Sequence, residues 1–247
     1  MPGVGKSQLS LCYAVKSFDA GRYTYIFWTS AAGVDKLTQG FCKVLDLVHP
    51  DRYVPDQNVK LTAVRLWLEE CTLNWLFIVD NVDSSTLDFL RMHLPRKNRQ
   101  GDVLFTTRTV AVAEALTIIT RTPNSTLKLL TPDVHDSISI LFNDAGIRSD
   151  TVTPLHLSHA EQLVKSVGRL PLAVAQAASF IKETTTTLDD MVKLYQNDER
   201  RIEVRRVLYI YRSPMFTNSD RQYDGRVSLA FMRSDLLRRH SPASSTN

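Results

Sequence analysis

Cysteine is scarce and scattered. Cys12, Cys42 and Cys71 are odd in number and far apart in the chain. That spacing offers neither a zinc cluster nor a disulfide framework, and the three read as small buried apolar residues in a reducing compartment. Long apolar runs are missing as well. No stretch approaches the roughly 18 residues a membrane helix needs. The opening Met1-Pro2-Gly3-Val4-Gly5-Lys6 has no apolar segment of signal-peptide type. The expectation is a cytoplasmic protein with no membrane partner. The 247 residues are 43% apolar, enough for one large α/β domain, or one domain with a smaller helical appendage.

Lysine is absent from one basic region. Between Arg200 and Arg239 there are ten arginines, no lysine, and four carboxylates, Glu203, Asp220, Asp224 and Asp235. The formal charge of the whole chain is only +4, so the rest is mildly acidic. A basic tail can touch nucleic acid or acidic lipid. No aromatic-interleaved motif accompanies this one, so a solvated or protein-facing segment is expected instead of a nucleic-acid interface.

Strand and helix patterns alternate through the first half. A helix should start at the Lys6-Ser7 step, with Leu11, Ala14, Val15 and Phe18 on one apolar face. Tyr23 to Trp28 is aromatic and β-branched and reads as a strand. Helical patterns follow over Val34–Val48 and from a cap at Asn58, with Leu61, Val64 and Leu68 on one side. Trp75, Leu76, Phe77, Ile78 and Val79 are a continuous apolar run ending at Asp80, as suits a parallel strand buried on both faces. Ser84 or Ser85 is expected to cap a short helix reaching Met92. Residues 102–107 are a further strand entered through Gly101, and residues 127–130 a short one.

Helices then take over. Thr131 is the expected cap of the next helix, Pro132 its first residue and Gly146 its stop. Its inner stripe is Val134, Ile138, Leu141 and Phe142. Ser158 and Glu161 have capping-box spacing. Gly168-Arg169-Leu170 breaks the pattern before an apolar helix from Pro171 to Ile181, and the threonines at 184–187 form a connector. The predicted organisation is an α/β unit over residues 1–130, a helical unit over 131–198 and a basic, partly disordered tail over 199–247.

The chemistry-bearing signal is Gly3-Val4-Gly5-Lys6-Ser7 opening a helix. Small residues let successive backbone N–H groups point at phosphate oxygens, and the helix N-terminus adds partial positive charge. Lys6 would reach β- and γ-phosphates, and the Ser7 hydroxyl would ligate Mg²⁺. The complete pattern G-x-x-x-x-G-K-[ST] needs another glycine one position before Met1. Asp80 strengthens the signal, because a carboxylate ending a buried strand is held rigidly, as a Mg²⁺-shell ligand must be. The plain alternative is an Asp that begins a turn. Arg108 follows the strand at 102–107, where a guanidinium can report on a γ-phosphate. Pro171 both starts a helix and offers a flat face to a base.

Together these segments resemble the NB-ARC domain of STAND-type P-loop NTPases, the signalling ATPases of plant resistance proteins, apoptotic activators and fungal NLR-like proteins. The similarity runs through residues 1–9, Ile26 to Ala31, Leu76 to Asp83, Val103 to Arg108, Leu127 to Phe142, and Gly168 to Ala173 with its GLPL-like core. It ends near residue 195, and Asn81 looks most like fungal members. The resemblance implies an α/β fold with a P-loop-type parallel sheet of five strands and flanking helices, followed by a small helical subdomain, with ADP or ATP and Mg²⁺ as cofactors. By carry-over, Gly3, Val4, Gly5, Lys6, Ser7 and Gln8 form the phosphate-binding segment, Ser7 and Asp80 serve Mg²⁺, Arg108 senses the γ-phosphate and Pro171 contacts adenine.

Departures from the family pattern shape the expectation. The leading strand and first loop glycine have no counterpart, which predicts an empty central position in the sheet. Asn81 stands where a second, water-activating carboxylate would be, leaving Asp80 as the catalytic carboxylate and Asp83 as a displaced substitute. The winged-helix region with its His contact is missing, with Arg226, Val227, Ser228, Leu229, Ala230 and Phe231 as an expected remnant. The function read from these residues is an ADP/ATP-binding signalling switch, at most a slow ATPase, with protein partners or homo-oligomerisation through its NTPase domain. An active P-loop ATPase and an interaction fragment without nucleotide chemistry are the alternatives.

Overall fold

The computed structural model describes residues 2–50, 54–97, 100–123, 125–196 and 230–232. The chain divides into two compact units. One holds the described part of residues 6–127 together with residues 230–232; the other holds residues 2–5 and 128–196.

The first unit runs α1 (Lys6–Asp19), β1 (Tyr25–Ser30), α2 (Val34–Val48), α3 (Gln57–Glu70), β2 (Trp75–Val82), a 3₁₀ turn (Ser84–Thr86) leading into α4 (Leu87–His93), β3 (Gly101–Thr107) and α5 (Val110–Thr120). β4 (Ala230–Met232) completes its sheet, in the order β3-β2-β1-β4. β1 and β2 pair in parallel from Tyr25↔Trp75 to Ser30↔Asp80. β2 and β3 pair in parallel from Trp75↔Gly101 to Val79↔Phe105. The central position expected to be empty is therefore closed: β3 lies directly against β2. Gly101 makes this approach feasible, because a Cβ there would sit 1.9 Å from the Trp75 ring. Instead of five parallel strands, the described residues give three, plus β4 antiparallel to β1. The remaining residues of the 199–247 segment, including 226–229 of the expected remnant, lie outside the described residues.

Alternation along β2 sorts its side chains between two cores. Trp75, Phe77 and Val79 face one side, where Phe27, Leu37, Phe41, Val44, Leu61, Val64 and Leu68 bury them. Leu76 and Ile78 face the other, against Ala14 of α1, Tyr23 and Ile26. The buried face of α1 is Ser10, Ala14 and Ser17, with Tyr13 and Phe18 partly covered; Val15, predicted to face inward, is exposed. Small residues on that face allow the helix to lie close to the strands. Cys12 on its outer side is exposed, contrary to the expected burial, whereas Cys42 and Cys71 are half-buried and pack against the larger core.

The second unit contains α6 (Val134–Ala145), α7 (Pro154–Ser166), α8 (Pro171–Thr184) and α9 (Leu188–Gln196). Leu141, Ala160, Leu163, Val174, Ala177 and Met191 are among its core residues. Residues 127–130 form no strand; Leu127 and Leu130 are exposed, and among the described residues no strand pairs with them.

α1, α2 and α8 start where predicted, whereas four capping side chains differ from those expected. Asp56, not Asn58, caps α3 by accepting from the Val59 N–H. Asp83 caps the turn before α4 in place of Ser84 or Ser85. Asp133 takes the role expected of Thr131. Thr153 and His156 form the capping box of α7 in place of Ser158 and Glu161. Among the described residues no helix is long and apolar enough to cross a membrane.

Candidate functional site

Three elements of the sheet unit converge on one carboxylate. Asp80 follows Ile78 in the alternation of β2 and so faces α1. Ser7 lies in the first turn of α1, where backbone N–H groups have no intrahelical partner. Its hydroxyl donates to Asp80, 2.8 Å from Oδ1 and 3.0 Å from Oδ2. The same parity in β3 places Asp102, Leu104 and Thr106 toward α1, and the Thr106 hydroxyl donates to Asp80 Oδ1 at 2.5 Å. Thr106 Oγ1 in turn accepts the Asn81 N–H at 2.8 Å. Asn81 has φ 63, the left-handed region that Asn enters more readily than most residues. The Asp80 carbonyl accepts from the Ala31 N–H at 2.7 Å, tying the end of β1 to the same place.

This arrangement brings Ser7 and Asp80 together as the sequence suggested, and adds Thr106, which sequence reasoning missed. The signal was present: Thr106 closes the apolar run Val103-Leu104-Phe105, as Asp80 closes the run from Trp75 to Val79. Recognising its role required the register between the two strands.

The other candidate residues fall as follows. Lys6 opens α1 and is half-buried, and its carbonyl accepts from the Ser10 hydroxyl at 3.0 Å. Gln8 is exposed on the same turn, and Arg108 is exposed immediately beyond β3. Asp83 is exposed and engaged locally: its Oδ1 accepts from the Ser85 N–H at 2.9 Å and the Ser85 hydroxyl at 2.5 Å.

Gly3, Val4, Gly5 and Pro171 belong to the helical unit. Gly3 and Gly5 have φ 77 and 95, values unfavourable to any residue with a side chain. Val4 is buried. The Leu172 N–H donates to the Gly3 carbonyl at 3.2 Å. Pro171 is half-buried at the first position of α8, after Gly168 (φ 69) and Arg169 (φ 54) turn the chain.

Two further features of the sheet unit lie elsewhere. At the N-terminal ends of the strands, buried Tyr23 donates to Asp102 Oδ2 at 2.6 Å, and its hydroxyl lies 3.2 Å from that of Tyr13. Burial, then the bond to Asp102, pushes the Tyr23 phenol well above its ordinary range. A cavity of about 550 Å³ opens between α2 and α3, lined by residues including Leu45, Val59, Leu66 and Trp67 and by none of the candidate residues. It is shallow and apolar, without the converging polar groups of the Asp80 cluster.

Chemically, Ser7 and Asp80 present hard oxygen donors at a helix N-terminus. Among the described residues no group of three or more His, Cys, Asp or Glu side chains converges on a cation position. A metal held here would take only part of its shell from protein, as Mg²⁺ commonly does.

The sequence is similar to that of a known protein. The chain is 26% identical over 216 residues to a protein of Hyaloscypha variabilis (strain UAMH 11265 / GT02V1 / F) described as a nucleotide-binding leucine-rich repeat (NLR)-like protein, an alignment covering 79% of this chain. The chain spans only 20% of that relative's length. The NB-ARC domain profile matches residues 1–148, which takes in α1, the three parallel strands and the Ser7–Asp80–Thr106 cluster. The chain belongs to the NB-ARC domain family.

Proposed function

We propose that this chain is a switch module that binds ADP or ATP with Mg²⁺ and hydrolyses ATP slowly or not at all. The observation that carries the reading is the Ser7–Asp80 pair: a helix-opening hydroxyl 2.8 Å from a strand-end carboxylate. This donor set fits a metal–nucleotide complex. Ser7 and Asp80 would hold Mg²⁺, with Lys6 reaching the β- and γ-phosphates and Gln8 on the same turn. Arg108, beyond β3, would respond to a γ-phosphate. In the helical unit, Gly3, Val4 and Gly5 would contribute backbone amides to phosphate, and Pro171 an apolar face to adenine. When bound, Mg²⁺ offsets the charge of the phosphates.

Weak hydrolysis is supported by the neighbours of Asp80. Asn81 is a neutral amide and cannot take a proton from water. Asp83, the displaced substitute, holds the cap at Ser85. Signalling, protein partners or self-association through the NTPase unit, and a cytoplasmic setting belong to the same proposal. They rest on the resemblance to NB-ARC signalling ATPases.

The test is thermal melting of the chain with and without MgADP, beside Lys6→Ala. A ligand that binds only the folded state at 100 times its Kd stabilises by about 2.7 kcal/mol, which for a chain of this size raises Tm by roughly 5–10 °C. The shift is expected in the native protein and absent from Lys6→Ala. No shift in the native protein refutes the proposal. Sustained phosphate release from ATP, lost on Asp80→Ala, would replace the switch with an active ATPase.

A further inference from the structure

Building on the nucleotide reading above, we propose that Thr106 is a positioning residue: it fixes how Asp80 presents its carboxylate and thereby sets the chain's demand for Mg²⁺. A threonine hydroxyl has one proton and lone pairs to accept with. Thr106 uses both functions in defined directions. Oγ1 accepts the Asn81 N–H at 2.8 Å, and the proton goes to Asp80 Oδ1. Thr106 is 6% exposed, and its β-branched side chain is restricted at χ1. The hydroxyl therefore has little freedom to swing to water.

The bond to Asn81 gives the clamp its direction. The ladder between β2 and β3 is irregular between Val79 and Val82, and Asn81 stands at that irregularity with φ 63. Its N–H finds a side-chain oxygen of β3 instead of a ladder carbonyl. With Oγ1 accepting there, the Thr106 proton is left for Asp80. Asp80 is thus held from two sides, by Ser7 of α1 and by Thr106 of β3. If Ser7 transfers its oxygen to a metal, Thr106 still holds the carboxylate. Asp80 then meets the cation already oriented.

The consequence separates metal demand from nucleotide affinity. Thr106→Val keeps the shape and removes both hydrogen bonds; Thr106→Ser keeps both. Groups that orient a metal ligand typically change metal affinity 10–100-fold. The experiment titrates Mg²⁺ against the full chain with ADP at fixed concentration, reading bound ADP by equilibrium dialysis, with EDTA samples giving metal-free binding. Thr106→Val should need about 10–100-fold more Mg²⁺ for half-maximal retention, with metal-free binding unchanged. Thr106→Ser should stay close to the native midpoint. If Thr106→Val does not fold, the smaller Thr106→Ala is read in its place.

A native Mg²⁺ midpoint in the valine or alanine variant overturns the role of Thr106 and leaves the nucleotide reading intact. Equal loss of ADP binding with and without metal also overturns it, since that is the mark of a purely structural residue. Native chain that retains no ADP under any condition overturns both.

Discussion

Replacing Gly101 by alanine tests the feature in which this sheet departs most from expectation, the direct pairing of β2 with β3. An ideal Cβ at Gly101 would lie 1.9, 2.2 and 2.3 Å from Cε2, Cδ2 and Cζ2 of Trp75. Carbon atoms pack at about 3.5–4.0 Å, so the indole must retreat by roughly 1.5 Å or the strands must part. Trp75 is fully buried against the α2–α3 face, and nothing there yields easily. Overpacking of this kind costs about 1–3 kcal/mol. Loss of glycine's unfolded-state freedom returns less than about 1 kcal/mol. The net expectation is a destabilisation of about 1–2 kcal/mol, read as a lower urea midpoint with unchanged slope.

A second variant identifies the cause. Trp75→Phe frees the space that the new methyl needs, and it removes an indole N–H that is buried without a partner. In that background Gly101→Ala should cost clearly less, with a coupling of about 0.5–3 kcal/mol for residues in contact. An unchanged urea midpoint for Gly101→Ala, or additive effects in the double variant, would show that Trp75 does not lie over Gly101. The β2–β3 register would then be wrong.

Asp83→Ala should cost about 1 kcal/mol through loss of its cap and leave the MgADP-induced melting shift intact; abolition of that shift would return Asp83 to the binding site. The His93 imidazole, whose ring lies 4.4 Å from that of Phe89, has its pKa lowered by burial first and then by the nearby Arg65 charge. A lowered folded value favours the neutral ring. Its contribution to stability is therefore present above the ordinary value of about 6.5 and is lost as pH falls through the folded value. Urea midpoints measured from pH 7 downward should decline in the native chain and decline less in His93→Phe; parallel curves would refute this.

Side-chain chemistry confined to a short stretch was legible in the sequence. The run from Trp75 to Val79 has the composition of a strand covered on both faces, and it is one. Ser7 and Asp80 were each marked by local context, a helix start and a strand end. Caps were less legible because Asp, Asn, Ser and Thr within two or three residues of one another satisfy similar rules. The outcome depends on backbone angles set by the next element. α5 was missed because Val110–Thr120 is apolar nearly all round and gives no stripe. In the structure only Val112 and Leu116 of that helix are buried, while Val110 and Ile118 are exposed. Residues 127–130 have strand-like composition, but composition does not supply a neighbouring strand. β4, three residues long, is too short to carry a period.

Asn81 shows how one backbone requirement can shape a site. Along β2 the odd-numbered Trp75, Phe77 and Val79 face the α2–α3 core, and strict alternation would send Val82 to the α1 side. Yet Val82 is buried in the α2–α3 core and pairs with Thr107. One residue has been absorbed between Val79 and Val82, as a bulge does, and the left-handed Asn81 is the residue that turns the chain. The shift makes Asp80 the last β2 side chain on the α1 face and returns Val82 to the interior beyond it. The backbone that carries the carboxylate is thereby flanked by two valines buried on the opposite face. The cost is an N–H displaced from the ladder, which Thr106 satisfies. Asn and Asp are both enriched in left-handed geometry, so the backbone alone does not choose between them. Charge does. An Asp at 81 would set a second carboxylate beside the first and raise the cost of ionising both. A neutral amide avoids that cost, and under the proposed function it would leave Asp80 to hold a cation with no second carboxylate beside it to activate water.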